Sequence, residues 1–171
     1  MIQASRSDVD ATRAAIIRPL LETDLPKLFD FIRGLSFAAR YFRFGHGDYD
    51  PGQMGAPRDC LLAPEQGLHL IAVSPAEDGE AVVGSARYVI QPDRTRCEFA
   101  LVVADDWKHH GLGHRLMQAL QDHARERGMR ILFGYILESN LDMLEFVRTC
   151  GFEIGDSAEG PWQKLATLHL Q

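Results

Sequence analysis

The sequence predicts a mixed α/β domain built on a central, largely antiparallel sheet. Three apolar runs in mid-chain, LHLIAVS, AVVGSARYVI and CEFALVV, follow one another with only short polar connections, as an antiparallel meander requires. Around them lie segments whose apolar residues recur at helical spacing and whose ends carry Ser, Thr or Gly. At 171 residues, 46% hydrophobic and 25% charged, the chain is long enough to bury a real core. Residues 13–171 are read as one domain, and residues 1–12, largely polar, as a flexible tail.

Taken in order, AAIIRPL is expected to be a first strand ending near Pro19. Thr23 is the expected N-cap of a first helix, with Leu25, Leu28, Phe29 and Ile32 at helical spacing and Gly34 closing it. Ser36 then caps a short second helix, FAARYFRF. Residues 45–66, rich in Gly, Pro and Asp, form the longest irregular stretch. The meander comes next, its first hairpin turning at PAEDGE with Gly79 in the turn. LGHRLMQALQDHARERG reads as a helix with Leu112, Leu116, Ala119, Leu120 and His123 on one face and Gly128 as its stop. MRILFGYILE is a buried strand, Ser139 the expected cap of the helix LDMLEFVRTC, and FEIG and the tail from Trp162 to Leu170 the final strands.

A formal charge of −6 argues against general nucleic-acid binding, which needs a basic face. No apolar stretch is long enough for a signal peptide or a membrane span, so no membrane role and a cytoplasmic location are expected. Cys60, Cys97 and Cys150 are odd in number and far apart, and are read as reduced, buried small hydrophobes.

WKHHGLGHRLM, at the join between the third meander strand and the next helix, admits three readings. It is a metal site, an anion cradle, or a turn into a helix. Metal binding fits poorly, because His109 and His110 are sequence neighbours that point apart and His114 and His123 lie at poor mutual spacing on a helix. The anion reading has a direct physical basis. Gly111 and Gly113 let backbone approach a ligand, the helix N-terminus offers unpaired N–H groups, and Lys108 and Arg115 add positive charge. The spacing is neither that of a dinucleotide fold nor that of a P-loop.

LVVADDWKHHGLGHRLMQAL closely resembles motif A of the GNAT superfamily of acetyl-CoA-dependent N-acetyltransferases, whose pattern here is Q/R-x-x-G-x-G/A. Lys108 stands where Gln or Arg is usual. Asn140, Gly151 and Phe152 match the family's downstream pattern, and the resemblance spans about residues 14–155. It implies the GNAT fold, with helices on both faces of the sheet and a splayed strand pair at the acyl-CoA site. It also implies acetyl-CoA as cofactor, with its pantetheine arm along the main chain of Val103 and Leu101, and with Val102 also among the cofactor-binding residues. The amides of His109, His110, Gly111, Leu112, Gly113 and His114 would hold the pyrophosphate beside Lys108 and Arg115, and Asn140 would lie near the thiol. No metal is expected.

GLSFAARYFRF further resembles a segment of the bacterial Pat-type protein lysine acetyltransferases, which modify acyl-CoA synthetases. That likeness implies a protein lysine as acceptor. It also implies loss of the tyrosine acid common elsewhere in the superfamily, whose place Val147 takes. A small-molecule amine acceptor and a non-catalytic acyl-CoA sensor are the alternatives. Either a monomer or a homodimer is compatible with the sequence.

An amine is protonated at neutral pH, so transfer needs a base, and a half-buried carboxylate suits that task. Glu98, which shares a strand face with Ala100 and Val102, is the expected catalytic residue, in the place the resemblance gives the family's base. Its rivals are Glu138 and the HGDYD loop with His46, Asp48 and Tyr49. A main-chain N–H at or near Val103 is expected to meet charge developing on the acyl oxygen. Arg40 and Arg43, three apart, share a helix face and either brace the acceptor site or present charge to it.

Overall fold

The computed structural model describes residues 14–54 and 60–171. The expected tail, residues 1–12, lies outside the described residues. Among the described residues seven strands form one sheet: β1 (Ile16–Pro19), β2 (Gly67–Ala76), β3 (Gly79–Ile90), β4 (Arg96–Val103), β5 (Ile131–Leu137), β6 (Glu153–Asp156) and β7 (Gln163–His169). Their spatial order is β1-β2-β3-β4-β5-β7-β6. Every pairing is antiparallel except β4 with β5, the two strands joined by a crossover helix. β7 slots between β5 and β6, an insertion that chain order alone does not announce.

Helices α1 (Leu25–Gly34) and α2 (Phe37–Phe44) cover one face, where Leu28, Phe31, Ile32 and Ala39 pack on Ile71, Val73 and Val102. On the other face lie α4 (Leu112–Glu126) and α5 (Leu141–Thr149), packing through Leu112, Leu116, Leu120, Leu144 and Val147 onto Ala86, Phe99 and Leu101. A short turn of helix, α3 (Pro51–Met54), sits inside the stretch expected to be irregular. Strand alternation sends the two residue sets of β4 to opposite layers, Glu98, Ala100 and Val102 toward α1 and α2, Phe99, Leu101 and Val103 toward α4.

Several local expectations shift. Thr23 does not cap α1; it lies in a single 3₁₀ turn, Glu22–Asp24, and Asp24 is buried, accepting from Arg18 at 2.6 and 2.8 Å and from the Leu21 amide at 2.9 Å. Ser36 does cap α2, accepting from the Ala39 amide at 3.1 Å. Ser139 does not cap α5. Asn140 does, accepting from the Met143 amide at 3.3 Å. The buried stripe of α4 is rotated toward Met117, Gln121 and Ala124, leaving Ala119 and His123 part-exposed. Trp162 is exposed and precedes β7 rather than belonging to it. Of the three cysteines Cys97 is buried, while Cys60 and Cys150 are part-exposed.

Candidate active site

The sheet opens at one place. β4 and β5 pair only at Arg96 with Ile131, Cys97 with Leu132, and Glu98 with Phe133. Beyond Glu98, β4 continues beside β3 alone while β5 continues beside β7. Glu98 thus marks the vertex of a V-shaped gap. The ring of Phe99 wedges it, lying where a Cβ on Gly134 would come within 2.6 Å of its edge. Only glycine at position 134 of β5 admits that ring.

Main-chain alternation decides what the gap contains. The Ala104 amide donates to Val83 of β3, at 2.9 Å, and the Arg96 carbonyl accepts from Gln91. Even-numbered residues of β4 therefore face β3 with their N–H and C=O groups. Those of Leu101 and Val103 face the open side, where no strand answers them. This is a ready track for an extended ligand that hydrogen-bonds to backbone.

Past β4 the chain makes a 3₁₀ turn (Asp105–Trp107) and then curls sharply. His109 and Gly111 both take left-handed conformations, φ 63° and 88°. For Gly111 this is free; for His109 it costs about 1–2 kcal/mol. The curl delivers the chain into α4, whose first intrahelical bond runs from the Arg115 amide to Gly111 at 3.1 Å. The amides before it in the first turn have no helical acceptor, so the dipole end of a four-turn helix and a concave loop meet at the mouth of the gap. Asp105 braces this loop. It accepts from the amide and hydroxyl of Ser36 at 3.1 and 3.2 Å, and from Lys108 at 3.1 Å. Desolvation opposes its ionisation, but these partners hold its carboxyl below the usual range.

A cleft of about 800 Å³ follows the V and the loop. Leu101, Val102, Val103, Lys108, His109, Gly111, Gly113, His114, Asn140 and Glu98, all expected at the site, line it together. Three expected residues do not. Arg115 is turned away, its guanidinium donating to the Ala15 carbonyl at 2.9 Å. Leu112 buries its side chain in the core and has only its amide to offer. His110 is exposed at the outside of the curl. His114 is fixed by Thr149: that hydroxyl gives its proton to the Phe146 carbonyl at 2.6 Å, so the 2.9 Å contact is a bond from His114 Nε2–H to Thr149 Oγ1. Among the described residues no group of three His, Cys, Asp or Glu side chains is placed to hold a metal ion.

Glu98 is half-buried, and burial raises its pKa, with the charges of Arg87 and Arg43 opposing. Its sequence rivals lie elsewhere. Glu138 is exposed and 4.0 Å from Lys164; His46 and Asp48 are exposed. Tyr49 stacks on Phe44, ring centroids 4.1 Å apart. Val147 is fully buried among core residues, and Phe146 beside it faces the cleft. Tyr135 also lines the cleft.

On the α1–α2 face a smaller cavity of about 230 Å³ adjoins the cleft, and Arg43, Arg87 and Val102 line both. Sequence reading passed over Arg87, His69 and Ser85. His69 Nδ1 meets the Cys60 carbonyl and Nε2 the Ser85 hydroxyl, each at 2.8 Å, which makes Nδ1 the protonated nitrogen. Burial lowers its pKa to about 4, so it is neutral at neutral pH. Arg40, by contrast, braces α2, donating to the Tyr49 carbonyl at 3.3 Å.

These features together fit a transferase that draws its group from a long, phosphate-bearing donor. The chain belongs to the acetyltransferase (GNAT) family, whose pattern it matches over residues 31–152, and it is an acetyltransferase of that family. An acetyltransferase of Pseudomonas aeruginosa is 33% identical over 151 residues, 84% of this chain and 77% of that protein. The L-methionine sulfoximine/L-methionine sulfone acetyltransferase of the same species is 33% identical over 61% of this chain and 66% of its own length. Among solved structures, the GNAT domain of the Streptomyces lividans PAT protein superposes with a TM-score of 0.79 at 20% identity, covering 91% of this chain and 90% of that one. Other structures of this fold hold acetyl-CoA. Among the described residues no helix is long and apolar enough to cross a membrane.

Proposed function

We propose that this chain transfers an acetyl group from acetyl-CoA to a small primary amine, with Glu98 as general base. The observation that carries the reading is the position of Glu98, half-buried at the point where β4 and β5 part. The cleft suits the donor: first-turn amides of α4 and the His109–Gly111 curl for the pyrophosphate, and the open main chain of Leu101 and Val103 for the pantetheine. Acetyl-CoA supplies the acyl group as an activated thioester. Glu98 takes a proton from the incoming ammonium, whose neutral form is scarce at pH 7. The Val103 N–H offers a donor on the side where the acyl oxygen gains charge. A carboxyl raised by burial is a better-matched base than one in water.

A protein lysine is the second reading. The α2 segment and the fold likeness to the Streptomyces lividans domain favour it. The small cavity that adjoins the cleft holding Glu98, and the sequence likeness to an enzyme acting on amino-acid analogues, favour a free amine.

Calorimetry with acetyl-CoA is expected to give micromolar or tighter affinity, and absence of binding overturns the proposal. Glu98→Gln is expected to keep that affinity while slowing transfer about 100-fold or more at pH 7. The deficit should shrink at high pH, where the amine is already neutral. Equal rates at pH 7 would remove Glu98 from the mechanism. Incubation of the protein with labelled acetyl-CoA and a lysate separates the acceptors, label in small molecules supporting a free amine and a discrete protein band supporting lysine.

A further inference from the structure

We infer that the acceptor is a free α-amino acid with an apolar side chain, its carboxylate held by Arg43 in the cavity between α1, α2 and the sheet and its amine turned to Glu98. This rests on the transferase reading above and narrows its acceptor.

The cavity's composition points to the ligand. Among the described residues its lining includes two arginines, Arg43 and Arg87, and no aspartate or glutamate. Leu28, Phe31, Ile32 and Phe44 form apolar walls. His69 is neutral and has both ring nitrogens engaged, so it neither adds to nor offsets the positive charge.

Arg43 is the telling residue. Among the described residues no carboxylate lies within ion-pair distance of it and its guanidinium donates no hydrogen bond; it stacks over Phe44, 4.6 Å from the ring centroid. Desolvation and the repulsion of Arg87 work against its charge, and the nearby Glu98 offsets them only in part. A cation in such a place is costly unless an anion compensates it, and a planar guanidinium suits a carboxylate with two parallel hydrogen bonds. An entering amino acid brings that carboxylate. Its ammonium, repelled by the same arginines, is driven toward Glu98, the acid that shares the cleft with them. A protein lysine brings a cation and no carboxylate for Arg43 to hold.

Size agrees. At about 30 Å³ per water, 230 Å³ holds roughly eight waters, the bulk of a small free amino acid and not of a folded protein's surface segment. In the reaction Glu98 takes one proton from the ammonium, the freed amine nitrogen forms the amide bond as the thioester C–S bond breaks, and the second proton lost by nitrogen passes to the departing sulfur, which leaves as the thiol of CoA.

The test measures acetylation of the proteinogenic L-amino acids, their carboxamides and a lysine-containing peptide. Apolar amino acids are expected to be substrates, with kcat/KM at least about 10-fold above their carboxamides. Arg43→Gln is expected to raise KM for the amino acid by about 10–100-fold with kcat little changed, and to leave the carboxamide's KM unmoved. Acetyl-CoA affinity of the variant, within about twofold of the parent by calorimetry, shows that the fold persists. Arg43→Lys restores part of the KM, since it keeps charge without the paired geometry. Equal kcat/KM for acid and carboxamide overturns the inference, as does an Arg43→Gln defect shared equally by both. Acetylation of the peptide with no free amino acid as substrate also overturns it, while leaving the transferase and its base intact. Failure to bind acetyl-CoA is the separate result that removes the transferase itself.

Discussion

At the residue scale, His69 is held neutral at a cost that appears only when the chain unfolds. Its folded pKa of about 4 lies below the unfolded value near 6.5. Between those values the unfolded chain takes up a proton that the folded chain refuses. Stability is therefore complete above about pH 6.5 and falls as pH drops toward 4, by on the order of 2–4 kcal/mol for this group. Denaturant melts at pH 7 and pH 5 are expected to show the loss, and His69→Gln to remove most of the difference. The face of β4 that Glu98 shares with Ala100 and Val102 was legible in the sequence, because alternation along a strand fixes it. His69, Ser85 and Arg87 were not. Alternation tells which residues of one strand share a face, but only the register of β2, β3 and β4 brings His69, Arg87 and Ala100 side by side.

At the scale of elements, the opening between β4 and β5 depends on the Phe99 ring lying against Gly134. A methyl on Gly134 would lie 2.6 Å from the Phe99 ring, itself buried and 5.1 Å from Phe152. Gly134→Ala is expected to destabilise the fold by about 1–3 kcal/mol in a denaturant melt, as overpacked cores do. The displaced ring lies beside the last paired residues of β4 and β5, so acetyl-CoA affinity should fall as well. Among the described residues every strand, and every helix of eight residues or more, was expected from the sequence. Caps were read less well. Thr23 and Ser139 are good capping types, yet Asp24 and Asn140 hold those positions because Arg18 fixes the first and the Met143 amide the second. Sequence spacing sees candidates; only the fold shows which one the chain reaches.

For the whole molecule, acetyl-CoA is expected to bind across the junction of β4, α4 and α5 and so to stabilise the native state as a unit. At a concentration 100-fold above Kd the gain is about 2.7 kcal/mol, which for a chain of this size raises Tm by about 5–11 °C. Differential scanning calorimetry with and without the cofactor measures this directly. The antiparallel meander and its single parallel neighbour follow from chain order, since a strand–helix–strand crossover makes parallel partners. The seating of β7 between β5 and β6 does not, because β6 is four residues long and carries no pattern that distinguishes an edge.

Asp105 holds both the amide that opens α2 and the lysine of the loop that opens α4. The helix bearing Arg43 and the loop that cradles phosphate are thus hung from the same side chain. A change at Asp105 therefore reaches the start of α2 and the loop before α4 together, from a place on the rim of the cleft itself.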